Sequence, residues 1–245
     1  MAGVQRTAIV TGAGSGLGQA IALQLAREGS DVACVDQNAE TAERTAAAIR
    51  ELGRRGMAIP LDVRDRSAVQ TMARRVRDEW GRIDALVACA GVLRNVPVLE
   101  LTEEEWDRHL DIHAKGTFLC CQAVLPAMIE QRYGRIVTTV SGLARAGTPG
   151  TAAYAAAKGA IISFTLVLAR EVEPYEITVN AFGPGPTDTP LLRGGVPAEQ
   201  MELTIRQSTF GRLPTPEQGA ELAVWFTRPE TAHITGRIFV QGLGA

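Results

Sequence analysis

Thr11-Gly12-Ala13-Gly14-Ser15-Gly16-Leu17-Gly18 is the stretch that decides how this chain is read. Ahead of it, Thr7 to Thr11 (TAIVT) is a short β-branched apolar run with the pattern of a strand. Behind it, Gly16 to Glu28 carries a helical pattern. Glycines in a strand–helix turn let backbone N–H groups approach a phosphate, and a helix N-terminus favours negative charge. Many such turns use glycine for purely structural reasons. Here the turn is the first of the chain, where a dinucleotide fold needs it, so Gly12, Ser15, Gly16, Leu17 and Gly18 are candidate cofactor contacts.

The alternation continues outward from that turn. Strands are expected at Asp31–Asp36, Met57–Val63, Ala85–Ala88, Arg135–Val140, Ile177–Phe182 and Arg237–Gln241. Helices are expected at Ala39–Leu52, Ser67–Trp80, Ala153–Glu173 and Glu217–Phe226, with one long helix over Glu103–Gln131. Strands that are nearly continuous apolar runs, separated by helices, predict an α/β fold with helices on both faces of one parallel sheet. Right-handed crossovers make it doubly wound and Rossmann-type, with seven strands in one domain over residues 1–245. The least regular stretch, Gly183 to Gln207, reads either as a disordered loop or as a substrate lid. Its place after strand six selects a lid over about 186–207.

Composition limits the partners. The net charge is −2, from 25 basic and 27 acidic residues, and 46% of residues are hydrophobic. That balance gives no reason to expect nucleic acid or a membrane surface. No signal segment precedes the first strand and no unbroken run of 18 apolar residues occurs, so a cytoplasmic location is expected. Cys34, Cys89, Cys120 and Cys121 lie in apolar stretches without metal-ligand spacing, which reads as buried thiols in a reducing compartment and no metal site.

Four positions carry chemistry. Asp36 closes strand two, 24 residues after Gly12. A carboxylate there accepts hydrogen bonds from ribose hydroxyls and repels the extra phosphate of NADP, which favours NAD. It is also placed to cap helix two, and the two uses are compatible. Tyr154 and Lys158 are four apart on a predicted helix and so share a face. An ammonium beside a phenol is expected to lower its pKa toward neutrality, which suits proton exchange with an alcohol or ketone. An ordinary exposed helix pair is the plainer reading of that spacing. Ser141, 13 residues earlier at a strand end, is either a turn residue or a donor to the reacting oxygen.

Taken together, these residues resemble the short-chain dehydrogenase/reductase family along essentially the whole chain. Thr11–Gly18 resembles its TGxxxGxG turn, Tyr154–Lys158 its YxxxK, and Ser141 its catalytic serine. Asp62-Val63 matches the adenine-contacting pair, and Ala88-Cys89-Ala90-Gly91 stands where NNAG is usual. Asn180 with Pro184-Gly185-Pro186-Thr187-Asp188-Thr189 is similar to the segment that passes the nicotinamide. The resemblance implies a hydride exchanged between a nicotinamide cofactor and a secondary alcohol or its ketone. It implies Tyr154 as acid/base, Lys158 holding the nicotinamide ribose and Ser141 positioning the substrate oxygen. It adds Asp62, Val63, Cys89, Ala90, Gly91, Pro184, Gly185, Thr187 and Thr189 as cofactor contacts. Assembly into a tetramer or dimer through the long helices and the C-terminus is implied as well.

Two departures stand out. Both NNAG asparagines are replaced, by Ala88 and Cys89, and His113 stands where the family has the asparagine of its proton relay. His113 is therefore either a structural substitute or a group that titrates and makes the relay pH-sensitive. As a metal ligand it lacks partners among His109 and His233: His109 is one helical turn away, but no carboxylate triad goes with it. Leu143, Leu191 and Leu192, with Ser141 and Tyr154, are candidate substrate contacts and predict a mostly apolar small molecule. Two other readings remain open: an NADP-linked 3-oxoacyl reductase, and a non-catalytic NAD-binding regulator on the same fold.

Overall fold

A computed structural model describes residues 5–241 of the chain. Seven strands form one parallel sheet: β1 (Thr7–Thr11), β2 (Asp31–Asp36), β3 (Gly56–Pro60), β4 (Ala85–Ala88), β5 (Gly134–Thr139), β6 (Ile177–Gly183) and β7 (Ile238–Val240). Their order is β3-β2-β1-β4-β5-β6-β7, every pair parallel. The order reverses between β1 and β4, which opens a crevice beyond their carboxyl ends.

The strand alternation sorts side chains into two cores. Ile9, Val35, Leu86, Ile136 and Val179 point to one face, where they meet α3 (Arg66–Trp80), α5 (Gly116–Gln131) and α7 (Ala152–Val172). Val10, Val32, Cys34, Val87, Val137 and Phe182 point to the other, against α1 (Gly16–Arg27), α2 (Ala39–Glu51) and α10 (Pro216–Phe226). Burial on both sides is why the strands carry almost no polar interruption.

Three elements differ from expectation. β3 stops at Pro60 rather than Val63, because the chain turns there and the Asp65 amide donates to the Asp62 carbonyl. The single helix expected over Glu103–Gln131 is α4 (Glu103–His109), a π-helical turn at Leu110–Lys115, and α5. The stretch after β6 is folded, with α8 (Pro190–Gly195) and α9 (Ala198–Gln207) joined by a short link. A short helix α6 (Leu143–Ala146) follows Ser141.

Two helical stretches, Glu103–Gln131 and Ala152–Tyr175, are long and apolar enough to cross a membrane, with mean hydropathy 1.3 and 1.6. The expectation of no such segment rested on an unbroken apolar run. Here the apolarity is used for packing: Leu119, Val124, Met128, Ile161 and Leu168 are buried in the cores, while Leu166 and Val167 stay exposed.

Candidate active site

The first turn of the chain is shaped by close approach. Gly12 has φ +69°, and a Cβ there would lie 2.9 Å from the Ala90 Cα across the crevice. Thr11 ties the two walls: its Oγ1 accepts from the Cys89 amide at 3.0 Å and the Ala90 amide at 3.1 Å. Ser15 is the N-cap of α1 but does not cap it with its side chain. Gln19 is the first residue whose amide returns to a backbone carbonyl, that of Ser15. The amides of the first turn are therefore available, and no acidic residue stands among them.

Asp36 sits at the end of β2 beside this turn. Its carboxylate accepts from the Gly14 amide and the Asn38 amide, each at 3.0 Å. Asn38, not Asp36, caps α2. Both lone-pair-rich oxygens are thus oriented by the backbone at the mouth of the crevice.

A cleft of about 310 Å³ runs from that carboxylate to Tyr154. Gly12, Ser15, Gly16, Leu17, Gly18, Asp36 and Gln37 form one end. Cys89, Gly91, Thr139, Val140, Ser141, Tyr154 and Lys158 form the middle. Leu93, His113, Pro184, Gly185, Thr187, Thr189, Pro190, Leu191 and Leu192 complete the walls. Lys158 is the only basic side chain among these residues. Thr189 caps α8 by accepting from the Leu192 amide at 3.2 Å, which brings Leu191 and Leu192 over the cleft.

Tyr154 and Lys158 do share a face of α7: the ammonium nitrogen lies 5.5 Å from the ring centroid. Lys158 is buried and donates to the Thr139 carbonyl at 2.8 Å. Burial pushes Lys158 down to about 8. It pushes the Tyr154 phenol up to about 12, with a bond from Ser141 opposing. The expected depression of the phenol is thus corrected: in the folded chain, desolvation outweighs the bond from Ser141.

Other expectations land elsewhere. Asp62 is gripped by the Arg64 guanidinium at 2.6–3.0 Å, which holds its carboxyl below the usual range. Val63 is buried and packs on Gly116. Neither borders the cleft. Ala90 lies behind Gly12, and Leu143 uses its amide on the Ser141 hydroxyl at 3.2 Å without lining the cleft. Asn180 is fully buried and spans Ile234 and Arg237 by hydrogen bonds. Cys89 borders the cleft and is only half-buried, unlike Cys34, Cys120 and Cys121.

His113 borders the cleft, its Nε2 placed 2.7 Å from the Val92 carbonyl oxygen and 3.1 Å from the Val92 amide nitrogen. Its ring meets Tyr154 edge-on at 5.2 Å. Burial and the Lys158 cation hold it well below the ordinary histidine value, so it stays neutral. His109, one helical turn away, stacks on His113 with centroids 6.0 Å apart. The i, i+4 spacing carries that contact. The roles of Gln37, Thr139 and Val140 as cleft walls were missed. For Thr139 and Val140 the signal was there: they end β5, and ligands gather beyond strand ends. Among the described residues, no group of three or more His, Cys, Asp or Glu side chains is gathered as a metal site would require.

Comparison with known proteins agrees with this architecture. Residues 6–200 match the short chain dehydrogenase family. The short-chain reductase protein NovJ of Streptomyces niveus is 41% identical over 95% of this chain and 90% of its own. The 3-oxoacyl-[acyl-carrier-protein] reductase FabG of Thermotoga maritima is 33% identical over 95% of this chain and 94% of its own. The crystal structure of levodione reductase superposes with a TM-score of 0.91 at 28% identity, covering 97% of this chain and 96% of that one. Kinship along nearly the full length, on a seven-stranded parallel sheet with a cleft at its switch point, places this chain in the short-chain dehydrogenase family of nicotinamide-dependent oxidoreductases.

Proposed function

We propose that the chain is an NAD-dependent dehydrogenase or reductase acting on a secondary alcohol or its ketone. The observation that carries this reading is one continuous cleft with Asp36 at one end and Ser141, Tyr154 and Lys158 together further along. The residues fit a dinucleotide. Free amides at the start of α1 suit its pyrophosphate, and the oriented Asp36 carboxylate suits a ribose diol. The same carboxylate, with no Arg in the cleft wall, disfavours a 2′-phosphate.

When bound, nicotinamide supplies the acceptor or donor of hydride. The chain's residues manage the rest. Ser141 donates to the reacting oxygen and orients it. Tyr154 takes the alcohol proton or returns one to the ketone. Lys158, fixed by the Thr139 carbonyl, supplies positive charge beside the phenol and a donor for the ribose. Pro184, Gly185, Thr187 and Thr189 wall the nicotinamide end. Leu191 and Leu192 on α8, with Leu93, exclude water and select an apolar substrate. The segment 186–207 acts as the lid. Exposed Leu166 and Val167 on α7 support a homo-oligomer; a monomeric mass by light scattering would remove that part of the reading. The buried free thiols fit a reducing, cytoplasmic setting. The expectation that the C-terminus joins the oligomer interface falls partly on residues 242–245, outside the described residues.

A second reading, a 3-oxoacyl reductase linked to NADP, is favoured by the identity with FabG and opposed by Asp36. One screen separates them: reduction of NAD⁺ and NADP⁺ with secondary alcohols, polyols, hydroxysteroids and hydroxyacyl thioesters. Faster turnover with NADP⁺ would reverse the assignment. Tyr154→Phe should lower turnover by about 10²–10⁴-fold while NADH binding persists, as read by fluorescence titration. NADH binding with no turnover by the parent on any substrate would identify a non-catalytic regulator instead.

A further inference from the structure

No residue of α9 is fully buried. Its side-chain hydrogen bonds mostly stay within the helix and the turn after it: Thr204 to Gln200, Arg206 to Glu202 and Ser208 to Thr204. One leaves it. The Asn95 Nδ2 donates to the Gln200 Oε1 at 3.2 Å. Among the described residues, that is the only hydrogen bond between α9 and the body of the chain. A helix with so little burial is easily displaced, so a single polar contact can decide where it rests.

Asn95 offers a fixed point. On one side of it, Val92 is held by His113 Nε2. On the other, the Val96 amide donates to the Gly150 carbonyl at 2.8 Å. From between these anchors Asn95 reaches the segment 186–207 twice. Its backbone amide donates to the Gly195 carbonyl, the end of α8, at 3.3 Å, and its side chain takes Gln200. The approach is close: a Cβ on Gly195 would lie 2.6 Å from the Leu93 carbonyl oxygen and 2.7 Å from the Leu93 Cγ. Leu93 walls the cleft, as do Leu191 and Leu192 of α8, so this contact joins two walls at the substrate end.

The near end of the segment is tied down separately. The Asp188 amide donates to the Pro214 carbonyl at 3.0 Å, and the Asp188 carboxylate takes the Arg193 guanidinium at 2.6 and 2.8 Å. Movement is therefore concentrated at the Asn95 end. Closure there is only weakly favoured, because the Asn95 Oδ1 is buried without a donor. Opening lets water reach that oxygen and offsets the loss of the bond to Gln200.

We propose that Asn95 is a positioning residue that latches α8 and α9 over the substrate end of the cleft. This rests on the reading of 186–207 as a lid. With the latch closed, Gly195 sits on Leu93, and Leu191 and Leu192 are held over the substrate, which keeps water out. Parting Asn95 from Gln200 lets Gly195 leave Leu93 and gives substrate and product a way through. No part of the latch touches the reacting atoms.

The test uses full-length Asn95→Ala, Gln200→Ala and the double variant, each checked for parental thermal melting and NADH binding. Hydrogen exchange of the 190–207 peptides, read by mass spectrometry, is expected to be several-fold faster in all three. For the fastest secondary alcohol of the screen above, each single change should raise KM about fivefold and leave kcat within about twofold. The double variant should match the singles, because all three lose one shared bond. Unchanged exchange or an unchanged KM would overturn the latch. So would effects that multiply in the double variant, since the two side chains would then act separately. Exchange is read without substrate. A parent that turns over nothing therefore sinks the proposed function, while the exchange result still decides whether Asn95 holds the lid.

Discussion

Gly91 and His113 are one contact seen from two sides. A Cβ at 91 would lie 2.5 Å from the His113 Cε1, closer than real atoms come. The glycine lets the imidazole reach the Val92 backbone, and the imidazole in turn pins the loop that walls the substrate end of the cleft. Gly91→Ala should therefore push His113 off Val92 and lower both stability and kcat/KM. A smaller partner should relieve it. In a double-mutant cycle, His113→Ser combined with Gly91→Ala is expected to lose less than the sum of the single changes, by about 1 kcal/mol in urea denaturation. Additive losses would show that the methyl is accommodated some other way. Lys158 shows the same dependence on neighbours, since the carbonyl that fixes it belongs to a residue of β5 and not of its own helix.

At the scale of elements, the site depends on where helices start. α3 follows the turn that ends β3, and Asp65 caps it by accepting from the Ser67 amide at 2.8 Å and the Ala68 amide at 3.0 Å. Asp65→Ala leaves those donors unmet and should cost about 1 kcal/mol in urea denaturation. Because α3 packs on the sheet away from the cleft, turnover should hold at its parental value. A fall in turnover without a fall in stability would mean that α3 reaches the site in a way its packing does not suggest. α1 is the contrasting case: its N-cap Ser15 leaves the first turn uncapped by any side chain, at some cost to the helix, and the amides so spared face the cofactor end of the cleft.

For the whole molecule, buried titratable groups set how stability varies with pH. Folded His113 stays neutral, while in the unfolded chain it binds a proton near 6.5. Below that pH the unfolded state therefore holds more protons, and stability falls as pH falls. His113→Asn should flatten the acid limb of the urea midpoint against pH; an unchanged limb would place the acid sensitivity elsewhere. At alkaline pH the thiols act in the opposite sense. Cys34 and Cys120 are pushed up by burial from 9.0 to about 12, so the unfolded chain loses those protons first and stability falls between those values. Lys158 partly offsets this. Its folded value of about 8 lies below the ordinary 10.5, so its contribution rises across that interval.

The order of strands and helices, the glycine turn and the shared face of Tyr154 and Lys158 were legible in the sequence. Each is set by the period of a strand or helix and by residues a few places apart, so adjacent letters suffice. Asp36 was legible for the same reason, as the last residue of a strand whose end must face the crevice. Tertiary structure alone decided that the long helix breaks into a π-turn and that His113 grips Val92, 21 residues away. It also decided the sign of the Tyr154 shift. A charge one helical turn away can be read from spacing, but desolvation sums over every neighbour that packing brings in, and those neighbours are scattered along the chain.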